Sequence, residues 1–113
     1  MKKSFSLPGY FGSISNDTPY LIEGAQVVGG YCANNPMPAN GFIQMLPDPG
    51  STAIQGHLMA FDTSVPGKYV DNLLFSYSEQ KDGSWAFDVV ESLYGKISVQ
   101  FVEPDKILLK AKK

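Results

Sequence analysis

The 113-residue sequence lacks arginine, has one cysteine and one histidine, and contains no long apolar run. Without arginine, the chain is poorly suited to reading bases or clamping phosphates, so we expect no nucleic-acid partner. Cys32 is alone, which excludes an internal disulfide. One histidine and one cysteine do not make a zinc site, and there is no P-loop or dinucleotide fingerprint. We therefore expect neither a metal nor a cofactor.

The charges are unevenly spread along the chain. Of nine lysines, six lie near the two ends, whereas all eleven acidic residues lie within residues 4–105. This distribution favours a basic protein over nucleic acid as a macromolecular partner. The chain has no apolar segment of membrane-spanning length and no signal-peptide pattern after Met1, so we expect a cytoplasmic protein with no membrane partner. A mature secreted chain with an added Met1 would look the same.

Apolar and polar side chains alternate through most of the sequence, a period of two that is typical of β-strands. No long amphipathic helix is indicated. The predicted strands are Tyr10–Ser15, Tyr20–Val28, Phe42–Leu46, Ala53–Phe61, Leu73–Glu79, Trp85–Glu91, Ile97–Glu103 and Lys106–Ala111. The last four runs, separated by short turns, predict a four-stranded meander with Phe75, Phe87, Val99 and Leu109 on one face of a single sheet.

The first turn of the meander can be assigned from register. A three-residue loop, Lys81-Asp82-Gly83, sets Glu79 opposite Trp85 and keeps both aromatic sets on one face, with Gly83 in the left-handed conformation of a G1 bulge. A two-residue turn would send one set to the opposite face. We expect Ser92–Gly95 and Glu103–Asp105 to form the next two turns.

These patterns predict a single all-β domain spanning residues 1–113. A small antiparallel barrel of about eight strands is the preferred architecture, because short consecutive turns favour up-and-down order and closure removes exposed edges. The alternative is a β-sandwich. A homodimer through the apolar side chains that point outward is also left open.

Two features stand apart from the regular pattern. The segment Ala33–Gly41 contains two prolines around Met37, and we interpret it as a surface connection, with a lid over a barrel mouth as the alternative. His57 lies on the opposite face of its strand from Ile54 and Leu58, so it is expected to point away from the main core. If the Phe61 face lined a lumen instead, His57 would lie inside.

The sequence shows no catalytic constellation, so candidate site residues come from composition. Tyrosine and tryptophan combine apolar area with a polar group and are common in ligand pockets. The candidate ligand-binding residues are His57, Tyr10, Tyr31, Tyr69, Tyr77, Trp85, Met37 and Phe61.

Three functions remain open at this point. The first is a noncatalytic binding protein that holds a small apolar molecule in a barrel lumen. The second is an interaction or accessory module (an inhibitor, immunity or structural protein) that uses an acidic surface. The third is a small barrel cyclase or isomerase that uses His57. We prefer binding over catalysis.

Overall fold

The structure, a computed structural model, describes residues 2–8, 12–102 and 106–112. The turn predicted at Glu103–Asp105 and the candidate residue Tyr10 lie outside these ranges. Ten strands run through the described residues: β1 (Lys2–Leu7), β2 (Ser13–Asp17), β3 (Leu21–Val28), β4 (Gly30–Ala33), β5 (Phe42–Pro47), β6 (Ala53–Asp62), β7 (Lys68–Glu79), β8 (Trp85–Val90), β9 (Ile97–Val102) and β10 (Lys106–Ala111).

The all-β prediction is confirmed, and no helix occurs within the described ranges. The strands form two five-stranded sheets, sheet A in the order β1-β8-β7-β6-β3 and sheet B in the order β4-β5-β2-β10-β9. The described ladders do not close the two sheets into a barrel, so the sheets can be drawn as a flattened open barrel or as a sandwich. One pairing, β2 with β10, is parallel, which the antiparallel prediction did not include.

The predicted four-stranded meander is wrong, because its runs are divided between the two sheets. β8 pairs with β7 and β1 in sheet A, and β9 pairs with β10 in sheet B. The connection at 91–96 therefore crosses between sheets instead of making a hairpin. The physical reason is that β1, a strand the sequence pattern did not reveal, occupies the edge of β8 where β9 was expected.

The predicted faces are nevertheless confirmed. Phe75, Phe87, Val99 and Leu109 are all at most 3% exposed and belong to one apolar core, which lies between the two sheets. Phe75 and Phe87 stack from adjacent strands of sheet A. Period-two alternation thus identified the buried side of each strand, although it did not identify which strands are neighbours.

The hairpin between β7 and β8 has the predicted register. Glu79 lies opposite Trp85, and the Gln80 N–H donates to the Ser84 carbonyl across a three-residue loop. Gly83 has φ 85°, the left-handed conformation of a G1 bulge. The Asp82 carboxylate accepts hydrogen bonds from the backbone N–H and hydroxyl of Ser84, which lower its pKa below the usual carboxyl value.

The two sheets are joined along both of their long edges, which we call seams. At one seam the chain itself passes from sheet A to sheet B, and at the other the sheets are joined by side chains. β3 passes into β4 through Gly29, which has φ 87°. On the opposite side, the Lys3 ammonium donates to the Val99 carbonyl and pairs with Glu91, and the Glu91 carboxylate accepts the Val99 N–H. Side chains there supply the backbone partners that a neighbouring strand would otherwise provide.

The segment 33–41 covers the free edge of β3. The Asn35 side chain exchanges two hydrogen bonds with the backbone of Gly24, and Met37 forms a backbone bridge with Ile22. Met37 is fully buried, so the segment is a surface connection that packs its methionine into the core. Covering an edge in this way removes unpaired backbone groups from solvent.

Asn16 is the polar centre that holds this segment in place. It is 1% exposed, and its amide donates to the carbonyls of Tyr20 and Pro38 at 2.8 and 3.0 Å. Its side-chain oxygen accepts from the backbone N–H and the hydroxyl of Thr18. One buried side chain therefore fixes both the turn after β2 and the 33–41 segment.

Candidate functional site

The outer face of sheet A carries the most distinctive group of side chains in the described chain. The register aligns a transverse row in which Ala25 faces His57, His57 faces Leu74, Leu74 faces Val90, and Val90 faces Lys2. Because directly opposite residues on one face lie side by side, this row places the histidine beside two apolar side chains and ends at a lysine.

A second row runs parallel to the first. In it Gln55, Ser76 and Asp88 are aligned across β6, β7 and β8. The site therefore has an apolar centre bordered by amide, hydroxyl and carboxylate groups, with an ammonium at one end.

These rows line an open groove of about 450 Å³. We call it the sheet A groove. It is lined by Lys2, Gln26, Val28, Gln55, Gly56, His57, Leu74, Phe75, Ser76, Asp88 and Val90. Its volume lies within the range of about 300–1,000 Å³ that is usual for small-molecule sites.

A β-bulge in β3 shapes one wall of the groove. Ala25 lies opposite His57, and Val28 lies opposite Gln55. β3 therefore has one more residue than β6 between these two pairs. Gln26 adopts φ 52° at this point. As a result, Gln26 and Val28 both border the groove, whereas Val27 packs against the core. Bulges commonly redirect side chains in this manner.

His57 is held in one orientation by its neighbour on β7. Its Nδ1 atom lies 3.2 Å from the Asn72 Oδ1 atom. Since a side-chain carbonyl oxygen is an acceptor, Nδ1 is the donor in this contact. In the neutral ring, Nε2 is then an acceptor for a hydroxyl or amine.

Three exposed apolar side chains border the sheet A groove. Val28, Leu74 and Val90 are 61%, 46% and 42% exposed. Val102 and Leu108 lie on sheet B, so they do not form one apolar patch with Leu74 and Val90.

The structure does not bring the candidate ligand-binding residues together. His57 lines the sheet A groove, but Met37, Tyr77 and Trp85 are buried in the core. Tyr31 is exposed on β4 in sheet B, and Tyr69 is exposed on β7, where its ring meets Phe61 edge-on. The groove residues that sequence reasoning missed, such as Gln26 and Val28, have no local signature, because the bulge that places them depends on pairing with β6.

Nucleophilic and metal chemistry find no support in the geometry. Cys32 faces the interior, with its sulfur 3.1 Å from that of Met45, while His57 is on the outer face of the other sheet. Burial raises the pKa of the Cys32 thiol, which opposes thiolate formation. Within residues 2–8, 12–102 and 106–112, no cluster of three metal-ligating side chains is present.

In comparisons with known proteins, no family model, no curated protein and no solved structure matches this chain. No helix of the described residues is long and apolar enough to cross a bilayer.

Proposed function

We propose that this protein is a noncatalytic binding protein that holds a small, largely apolar molecule in the sheet A groove. The observation that carries the proposal is the convergence of His57, Leu74 and Val90 in an open groove of about 450 Å³. An apolar surface with a few directed polar groups is the usual composition of a small-ligand site. The expected ligand lays an apolar body over Leu74 and Val90.

The polar rim indicates how such a ligand would be oriented. The Nε2 atom of His57 accepts from a hydroxyl or amine, and the Lys2 ammonium attracts a negative group at the other end of the transverse row. A ligand with an apolar body and one anionic or hydroxyl group fits both features.

The position of this site differs from the expected barrel lumen. The interior positions are occupied by apolar side chains such as Ile54, Leu58 and Phe87, each at most 1% exposed. Tightly packed interiors of this kind leave little room for a guest. The outer face of sheet A therefore supports a binding role better than the space between the sheets.

Two variants of the same residue type make a matched test. Val90 and Val102 are 42% and 45% exposed, but Val90 lines the groove and Val102 lies on sheet B. Anilinonaphthalene sulfonate, an apolar dye with one anionic group, is the probe. We expect Val90→Glu to weaken dye binding about tenfold or more, because it places a charge in the apolar centre, and Val102→Glu to bind like the parent chain.

Native mass spectrometry of the purified protein adds an independent readout. A copurifying small molecule that is lost in Val90→Glu and retained in Val102→Glu supports the proposal. Equal dye affinity in all three proteins, or no dye binding by the parent chain, would refute it.

The second candidate is an enzyme of the cyclase or isomerase type. The contact of His57 Nδ1 with the Asn72 side-chain oxygen favours it, since Nε2 of the neutral ring is then available as a base. The partner is an amide instead of a carboxylate, however, so this contact lacks the charged partner that supports a catalytic histidine in a triad. Incubation of the copurified molecule with the parent chain and with His57→Gln distinguishes the two functions: conversion by the parent alone indicates catalysis.

A further inference from the structure

The connection between β8 and β9 is a turn whose backbone is hydrogen-bonded to a buried carboxylate. Asp71 is 3% exposed, and one of its oxygens accepts the backbone N–H groups of Lys96 and Ile97, each at 2.9 Å. Gly95 lies against the same carboxylate, so closely that a Cβ added there would be 2.6 Å from the Asp71 Cγ atom. The turn is therefore fixed by charge-assisted hydrogen bonds and close packing.

The C-terminal strand holds the turn from its other side. The Lys112 backbone N–H donates to the Lys96 carbonyl at 2.8 Å, and the Lys112 ammonium donates to the Ser92 carbonyl at 2.9 Å. Contacts at both ends of a short connection restrict its conformations. The residues between these contacts, which form the apex of the turn, are therefore held in one conformation.

The apex consists of Leu93 and Tyr94, which are 70% and 90% exposed. They have the highest exposures among the large apolar side chains of the described residues. A fixed turn that projects a leucine and a tyrosine into solvent has no role in packing the core. It is a surface that gains free energy by meeting an apolar phase.

The same end of the molecule is rich in lysine. The contacts of the turn and the pairing registers bring residues 2–3, 17, 71, 91–97 and 110–112 together at one end of the two sheets, which we call the lysine-rich end. Its charged residues are Lys2, Lys3, Lys96, Lys110 and Lys112 against Asp17, Asp71 and Glu91.

The ion pairs at this end cancel one lysine for each acid. Lys3 pairs with Glu91 and Lys110 pairs with Asp17, each at 3.0 Å. Lys2, Lys96 and Lys112 then stand against Asp71, which is buried. The surface of the lysine-rich end is therefore positive, although the chain as a whole carries a net charge of −2.

We propose that the lysine-rich end docks on an anionic lipid surface, with Leu93 and Tyr94 entering the headgroup region. Tyrosine is favoured at the interface between headgroups and acyl chains, leucine partitions into the apolar layer, and lysines nearby are attracted to anionic headgroups. A protein partner is a poorer fit. A specific protein interface needs a broad complementary area, whereas the apolar element here is a narrow projecting apex surrounded by flexible lysines.

The test measures cosedimentation of the full chain with vesicles of phosphatidylcholine and phosphatidylserine, and with vesicles of phosphatidylcholine alone. We expect binding to the anionic vesicles that weakens as salt is raised. Leu93→Ser combined with Tyr94→Ser should reduce the partition coefficient about tenfold, because two apolar side chains no longer enter the interface. Lys96→Gln should reduce it about fivefold.

The control variant is Val102→Ser, which alters an exposed apolar residue away from the lysine-rich end and should bind like the parent chain. Circular dichroism of each variant verifies that it is folded. The proposal is overturned if the parent chain does not sediment with anionic vesicles, if both vesicle types bind it equally, or if the double serine variant binds undiminished. If the parent chain binds no vesicles, the alternative is that Leu93 and Tyr94 bind a pocket on a partner protein.

Discussion

Replacement of Asn16 by alanine should be among the most damaging single substitutions of a polar residue in this fold. The side chain is 1% exposed and makes close hydrogen bonds to Thr18, Tyr20 and Pro38. Alanine leaves several buried donors and acceptors without partners, and the net loss is about 3 kcal/mol after partial relaxation. For a chain of this size, that loss lowers the Tm by about 12 °C.

Urea unfolding followed by the fluorescence of Trp85, which is 7% exposed, measures this loss directly. Gln100→Ala removes an exposed amide from β9 and serves as the control, with an expected change of less than about 0.5 kcal/mol. If Asn16→Ala were as mild as the control, the idea that one amide holds the 33–41 segment would have to be abandoned.

Asn16→Asp tests the direction of the amide hydrogen bonds. The carboxylate still accepts from Thr18, but it turns negative oxygens toward the carbonyls of Tyr20 and Pro38, which raises the pKa of the new carboxyl group in the folded state. Because the folded state binds this proton more tightly than the unfolded state, the stabilising contribution is fully present below the unfolded carboxyl pKa of about 4. The free energy of unfolding then falls as the pH rises through the folded-state pKa. At pH 7 this variant should have a lower free energy of unfolding than Asn16→Ala. In acid, the difference between the two variants should shrink or change sign.

Three further outcomes are expected. Glu91→Ala should lower the free energy of unfolding by about 3 kcal/mol in urea titrations, because Lys3 and the Val99 N–H lose a buried anionic partner; an effect below about 1 kcal/mol would show that this seam contributes little. Gly95→Ala should cost about 2 kcal/mol and lower the Tm, because its methyl group meets the Asp71 carboxylate; an unchanged Tm would mean that the turn can shift freely. Alkylation of Cys32 by iodoacetamide should be slower than that of a free thiol at pH 8 and should accelerate only at higher pH, because its pKa is raised; a rate equal to that of free cysteine would contradict the burial.

Local patterns predicted eight of the ten strands in the described residues, missing β1 and β4, and identified the buried faces of the later strands. Alternation in residues 73–79 and 85–90 identified Phe75 and Phe87 as inward, and the Asp82-Gly83 pair with the apolar register specified the hairpin. Pairing between distant strands could not be read in the same way. β1 has only Phe5 and Leu7 as apolar markers, so nothing local indicated that it would take the edge of β8 and exclude β9.

The candidate site illustrates the same limit. The alternation around Leu58 correctly placed His57 away from the core, and the pairing with Leu74 supplied an apolar neighbour. The groove itself arises from the β3 bulge at Gln26 and from the addition of β1, both of which depend on nonlocal contacts. Composition singled out tyrosines for a pocket, but Tyr77 is in the core and Tyr31 lies on the other sheet, because amphipathic side chains serve equally well at a core boundary.

The two proposed surfaces are neighbours yet can be separated experimentally. Val90 ends β8 in the sheet A groove, and Leu93 lies only three residues further along the chain, at the apex of the lysine-rich end. Lys2 borders the groove and also belongs to that end, so a substitution there would disturb both. Val90→Ser, which adds no charge beside Lys2, should instead weaken dye binding and leave vesicle binding in place, while the Leu93 and Tyr94 double variant should do the reverse. This reciprocal result would establish a ligand groove beside a lipid-docking apex, and parallel loss of both activities in either variant would mean that they form a single surface.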